Sequence, residues 1–178
     1  MTDIKHWLLS SEREMRQGGK APSVLLRRTY GVSIDDVWSA CTDPKRLSRW
    51  FGNVSGEMRV GETVLADVGE KYPVSCCILR CDKPTHLTIT WAYGSQQPDE
   101  VHLRLTSKDG RTALELEHRF LQAAAPDPEI GAGWEDWIYK LSIALQGADG
   151  RAVSSNETYA PLLDAWAKIS VTPDSRYD

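Results

Sequence analysis

His118 is the sharpest of the residues equipped for chemistry. It lies in the run Leu114–Phe120, LELEHRF, in which every second residue is apolar or aromatic. At strand spacing its imidazole shares a face with Leu114, Leu116 and Phe120. An imidazole there can anchor a ligand carbonyl or hydroxyl, act as an acid–base group, or hydrogen-bond a neighbour inside a core. Glu117 points to the opposite face, and no serine or cysteine is fixed beside His118 by sequence, which argues against a nucleophile–base pair. Cys76, Cys77 and Cys81 invite a metal reading. Strand alternation places Cys77 and Cys81 on one side and Cys76 on the other, so they do not converge as a closed zinc site requires. Glu135 and Asp136 are adjacent carboxylates, but helical periodicity sets both off the apolar face of their helix, as a solvated surface. Lys45, Arg46 and Arg49 form a small basic cluster suited to an acidic headgroup or to a plain exposed face. There is no glycine-rich phosphate loop, nucleophile elbow or HExxH pattern, and no cofactor or metal is expected.

The element that must organise these residues is Asp127–Gln146, DPEIGAGWEDWIYKLSIALQ. At the helical period Ile130, Trp134, Trp137, Ile138, Leu141, Ala144 and Leu145 share one face. Glu135, Asp136, Tyr139, Ser142 and Gln146 take the other. Asp127 suits the N-cap, Pro128 the first position, and Gly147 the stop. Gly131 and Gly133 each cost about 1 kcal/mol against alanine in a helix interior. Either the helix begins near Gly133, or another element passes close to its first turns. Ile143, on the polar side, suggests a second covering element.

That helix needs an apolar sheet. Ser23–Ser33 reads as a first strand, followed by short helices at Ile34–Cys41 and Lys45–Trp50. Six strands follow at Val54–Val60, Thr63–Gly69, Tyr72–Asp82, His86–Tyr93, Glu100–Ser107 and Thr112–Phe120, each bounded by turn residues. Leu87, Ile89, Trp91 and Tyr93 alternate onto one face, as do Val101, Leu103 and Leu105. Thr88, Thr90, His102, Arg104, Glu115, Glu117 and Arg119 face outward, so the sheet is antiparallel with one dry and one wet face. Residues 1–22 are expected to be an amphipathic helix over Thr2–Gln17 (Ile4, Trp7, Leu8 and Met15 inward) plus a linker. Residues 23–147 form the domain proper. Residues 148–178 add a loop and a short helix, Asn156–Ile169, lying near Ile143. Pro161 is tolerable there only in the first turn, and Val171–Asp178 should fray.

The bulk numbers narrow the possibilities. A chain of 178 residues with net charge −4 fits one domain and gives no electrostatic case for nucleic acid or an anionic membrane. No apolar run reaches the roughly 20 residues of a membrane span, and no signal-peptide region is evident. Four cysteines without secretory context point to a reducing, cytoplasmic setting. Seven tryptophans against two phenylalanines hint at a lined cavity with polar handles.

The order strand, two short helices, six strands, long helix resembles the helix-grip fold of START-like and birch-pollen-allergen-like proteins. Three stretches are similar to the family of activator of heat-shock-protein-90 ATPase homologues. They are Val37–Ala40 with Thr42–Gly52, then Lys83-Pro84 with Leu87 and Thr90-Trp91, then Gly133-Trp134 with Leu141; His118 closing its strand also fits. The resemblance spans roughly Val24–Gly147. It implies an α+β fold with a curved seven-stranded antiparallel sheet wrapped around a long C-terminal helix, and a cavity between them. From the alternation, that cavity's wall should comprise Trp91, Tyr93, Leu103, Leu116, His118, Trp134, Ile138 and Leu141, with Trp50 and Phe51 at one mouth. A volume of about 300–1,000 Å³ is typical of such sites. The expected function is binding of a small hydrophobic or amphipathic molecule. The alternatives are a cyclase- or hydrolase-type enzyme using His118, and a chaperone-cofactor-like interaction module, since one fold hosts many activities.

Overall fold

A computed structural model describes residues 3–175. Its sheet has nine strands rather than seven, in the order β3-β4-β5-β6-β7-β8-β2-β1-β9. The seven expected strands are β2 (Ser23–Tyr30), β3 (Asn53–Ser55), β4 (Thr63–Asp67), β5 (Val74–Asp82), β6 (His86–Tyr93), β7 (Asp99–Lys108) and β8 (Arg111–Arg119). The two additional strands come from the terminal segments. The N-terminal helix α1 covers only Ile4–Ser10; the chain extends at Ser11 and continues as β1, Glu12–Gln17, antiparallel to β2. Met15 is buried, as expected, but from a strand. At the other end β9, Val171–Pro173, pairs in parallel with β1 instead of fraying. Thr2 and residues 176–178, included in the expected helix and the expected frayed end, lie outside the described residues.

Register follows the apolar pattern. Leu26, Leu116, Leu103 and Leu87 form one cross-strand row, and Val24, His118, Val101 and Ile89 the next. A one-residue slip would turn both rows to solvent, so burial specifies the pairing. β3 is shorter than its sequence suggests: Gly56, at φ +113°, would bring a Cβ within 2.9 Å of the Thr63 carbonyl oxygen, and the chain leaves the sheet there. In β5 the register shifts between Ile78 and Arg80. This bulge turns both Leu79 and Arg80 outward and puts Cys81, opposite Leu87, on the inner face with Cys76. The expected grouping of Cys81 with Cys77 is therefore reversed.

Helices α2 (Ile34–Thr42) and α3 (Pro44–Leu47) follow β2, capped by Ser33 and Asp43. The long helix α4 runs from Pro128 to Ala144 with Asp127 as its N-cap, and therefore does not begin late at Gly133. One inner face lies on the sheet, but the opposite side is not a solvated surface. Glu135 is fully buried, and Asp136, Tyr139, Lys140, Ser142 and Ile143 are buried too. The cause is α5 (Ser155–Ala167), which covers the first half of α4, together with α1 and β1. A Cβ on Gly131 would fall 2.5 Å from Trp166 Cε3, which explains that glycine: α5 makes the close approach.

Glu135 ties these additions together. Its Oε1 accepts from Trp7 Nε1 at 2.9 Å and Arg13 Nη2 at 2.6 Å, and its Oε2 from Arg13 Nε at 2.7 Å and Trp166 Nε1 at 2.7 Å. Asp136 Oδ2 accepts from Lys140 Nζ and from Ser155 Oγ, both at 2.8 Å, and Thr158 Oγ1 donates to its Oδ1. Buried carboxylates are tolerable because each is paired and hydrogen-bonded. Pro161 lies two turns into α5 rather than in the first. Leu162 and Trp166, both fully buried, hold the helix despite the missing backbone donor. On the sheet's outer face Glu117 is also buried, because Arg104 and Arg119 fold over it at 3.3 Å and 3.1 Å.

Candidate functional site

The segment after α3 carries the mouth residues. Phe51 N–H bonds the Leu47 carbonyl at 2.8 Å, and Trp50 Nε1 donates to the Ala40 carbonyl at 2.9 Å, which fixes Trp50 inward. Gly52 follows; a Cβ there would fall 2.3 Å from the Asp67 carbonyl oxygen, so β4 passes directly beneath. Phe51 is thereby turned over the end of the sheet. Its ring stacks on Trp134 at 6.4 Å and 8°, meets Trp137 edge-on at 5.0 Å, and lies 6.1 Å from Trp91. Trp134 is itself 4.8 Å from Trp91 and 5.1 Å from Trp137. Offset and edge-on contacts of this kind are worth about 0.5–1.5 kcal/mol each beyond the area they bury.

Behind this aromatic plug, between the sheet and α4, is an apolar cavity of about 80 Å³. Six of the ten residues expected in its wall are there: Trp50, Phe51, Leu103, Leu116, Trp134 and Ile138. The hollow is smaller than expected because Phe51 and Trp134 interlock across one end. Those two rings also separate it from Trp91 and Tyr93, which line a different, outward-facing cleft of about 340 Å³ with Trp134, Trp137 and Tyr159. Leu141 is fully buried and lines neither space.

His118 lines neither space as well. Its Nδ1 accepts from Trp134 Nε1 at 3.0 Å, so the proton belongs on Nε2, which donates to Asp99 Oδ2 at 3.2 Å. The other oxygen of Asp99 accepts from Leu121 N–H at 2.8 Å. Phe120 covers the imidazole at 4.7 Å between ring centroids. With both nitrogens engaged, His118 orients the Trp134 indole, a role played from behind the wall.

Several lining residues escaped the sequence reading. Val64 and Ala66 on β4, and Cys76 and Ile78 on β5, were legible in the alternation of TVLAD and VSCCI but were not assigned to the wall. Val54 and Met58, partly exposed at the outlet, carry no sequence signal. Burial raises the thiols of Cys41 and Cys76 to a pKa of about 12, so neither wall cysteine is a nucleophile near neutrality. Asp99 was missed because its local sequence reads as turn although it opens β7, and Ser155 and Tyr159 because they lie beyond the recognised motifs. The expected basic cluster does not gather at the mouth: Arg46 pairs with Asp36 at 2.7 Å, and Arg49 donates to the Gly147 carbonyl at 2.8 Å. Among the described residues no helix is long and apolar enough to cross a membrane, and no three His, Cys, Asp or Glu side chains converge as a metal site.

Known structures share this fold. The crystal structure of CalU16 from Micromonospora echinospora superposes with a TM-score of 0.74 at 36% identity, covering 89% of this chain and 96% of that one. DynU16, described as a putative protein in the dynemicin biosynthetic locus, matches at 26% identity and TM-score 0.66 over 72% of this chain and 49% of its own. A conserved protein of unknown function from Enterococcus faecalis, EF2215, shares the fold at 13% identity and TM-score 0.68, covering 89% of this chain and 92% of that one. No curated protein is similar enough in sequence to count as a relative. The family described as activator of Hsp90 ATPase homolog 1-like protein matches residues 31–146. Strands β3 to β8, the plug and the long helix fall within that span, and the chain belongs to the activator of Hsp90 ATPase homolog 1-like family.

Proposed function

We propose that this protein binds a small hydrophobic or amphipathic molecule between the sheet and α4. The observation that carries the reading is an apolar hollow, walled by side chains from β4 to β8, α2 and α4, left unfilled in an otherwise close-packed interior. Phe51, Val54, Met58 and Ile89 are its partly exposed members, and the first three form the outlet. A ligand larger than the resting void enters by displacing the Phe51 ring, a partly exposed member of the plug that also lines the hollow. The similarity to a protein of a biosynthetic locus supports a small-molecule ligand. The enzyme alternative draws no support from His118, whose two nitrogens are bonded to Trp134 and Asp99.

The test is a fluorescence titration against a lipid and polyketide panel, because Trp50 and Trp134 both line the hollow. Val64→Phe places a ring in the void and should abolish binding while the near-UV circular dichroism stays native. A panel that leaves the tryptophan signal unchanged, or a ligand bound equally by Val64→Phe, would refute the proposal. Native mass spectrometry of protein from its own host would identify a co-purified ligand directly.

A further inference from the structure

Gly133 is the residue of α4 that packing does not explain. A Cβ there would meet no atom within 4 Å, yet glycine inside a helix costs about 1 kcal/mol relative to alanine. Gly133 instead forms part of the wall of the outer cleft, between the start of α4, the end of β6 and the start of α5. The other walls are aromatic. Trp91 meets Tyr93 at 6.0 Å and 84°, and Trp137 at 5.8 Å and 55°, so both neighbours stand at steep angles to Trp91. Tyr159 closes the α5 side, its hydroxyl donating to the Glu129 carbonyl at 3.5 Å.

The unpaired charge around these rings has one sign. Glu70, Glu129 and Asp136 line the cleft, and among the described residues no lysine or arginine does. Asp136 is matched by Lys140, whereas among the described residues no ion pair joins Glu70 or Glu129 to a cation. The tyrosines register this field. Burial first, then Glu70, raises the phenol of Tyr93; burial first, then Glu129, Asp127 and Asp136, raises that of Tyr159. The first turns of α4 and α5 oppose this with about half a positive charge each. Their caps blunt it, because Asp127 Oδ1 accepts from Glu129 N–H at 2.8 Å and Ser154 Oγ from Asn156 N–H at 3.3 Å. Aromatic faces with a carboxylate rim attract a weakly hydrated cation through ring quadrupole and Coulomb terms together.

We propose that this outer cleft binds an organic cation, a quaternary or highly substituted ammonium on a small apolar body. It is a second site, separated from the inner hollow by Trp134 and Phe51, and does not depend on that hollow being occupied.

Three probes of one shape test it: choline, its neutral isostere 3,3-dimethylbutanol, and the anion 3,3-dimethylbutyrate. Binding is followed by tryptophan fluorescence and by the amide and indole ¹H–¹⁵N shifts. The expected result is saturable choline binding with shifts confined to Gly133, Trp137, Ser155 and their neighbours, at least tenfold tighter than for either isostere. Glu129→Gln, an exposed change that keeps the shape and removes one first-turn charge, should weaken choline severalfold, and added salt should do the same. Gly133→Val should block the cleft; if that variant is misfolded, the Glu129→Gln comparison decides. Val64→Phe, which fills the inner hollow, should leave choline binding intact. The proposal is overturned if no probe binds, if the neutral or anionic isostere binds as well as choline, if Glu129→Gln changes nothing, or if Val64→Phe abolishes the choline response. Loss of apolar ligands alone in Val64→Phe separates a failure of this site from a failure of the inner one.

Discussion

Replacing Glu135 by Gln tests whether one buried carboxylate holds both terminal segments on the domain. The Glu135 side chain is 0% exposed and that of its partner Arg13 8%. Glutamine keeps the shape but removes the charge, leaving the Arg13 guanidinium without its counterion. Its amide nitrogen is also a donor facing donors, since Trp7 Nε1, Trp166 Nε1 and two nitrogens of Arg13 all point at this carboxylate. Removing one member of a buried ion pair costs about 3–5 kcal/mol. For a chain of this length each kcal/mol lowers Tm by about 2–4 °C, so a fall of roughly 6–20 °C is expected. Urea denaturation read by circular dichroism gives the global number. Hydrogen exchange gives the location, which should be β1, β9 and α5 before β6, β7 or β8. The apolar exchange Arg13→Met with Glu135→Leu leaves no buried charge unpaired, and so isolates the cost of the two stranded indole donors, Trp7 Nε1 and Trp166 Nε1. A Glu135→Gln protein within 1 kcal/mol of wild type, with unchanged exchange at β1 and β9, would refute the reasoning.

Five further outcomes are expected. Gly133→Ala should raise stability by about 0.8–1 kcal/mol in chemical denaturation, because its Cβ meets open space. Gly131→Ala should lower it by about 1–3 kcal/mol, because its Cβ would press on a Trp166 ring held by Glu135. Thiol labelling of native protein at pH 8 should reach the partly exposed Cys77 and Cys81 and spare Cys41 and Cys76. The latter two have folded-state pKa values raised from 9.0 to about 12, so the stability they supply is complete below pH 9 and lost as pH rises toward 12. A melting-temperature series over that window, compared with Cys41→Ala, checks it. His102 has its pKa lowered, by burial first and then by Arg119 and Arg104. Its contribution is present above the ordinary value of 6.5 and lost as pH falls below it, so His102→Gln should flatten the acid side of the stability profile.

The sheet's central strands and the long helix were legible because both rest on local periodicity. In β6, β7 and β8 alternate residues either fill the core or meet water, and a register that mismatched them would expose Leu87, Leu103 and Leu116 together. Asp127, Pro128 and the apolar stripe of α4 likewise act over a few residues, so the chain order alone places the helix and its cap.

Burial of polar groups is decided differently, by what arrives from far along the chain. Glu135 and Asp136 sit on the face that helical periodicity makes wet; Trp7, Arg13, Ser155, Thr158 and Trp166 cover them from as far as 128 residues away. The phase of Cys81 turned on a bulge that no pattern announced; β1 formed because an open edge of β2 was available to pair, and β9 because β1 then offered its own. The division of the aromatic wall into an inner hollow and an outer cleft is of the same kind. Residue types specified that tryptophans would line something; only the crossing of Phe51 over Trp134 determined which side of the plug each ring faces. Local preference acts between neighbours in sequence, whereas cavities and buried charges are properties of surfaces that meet only once the chain has folded.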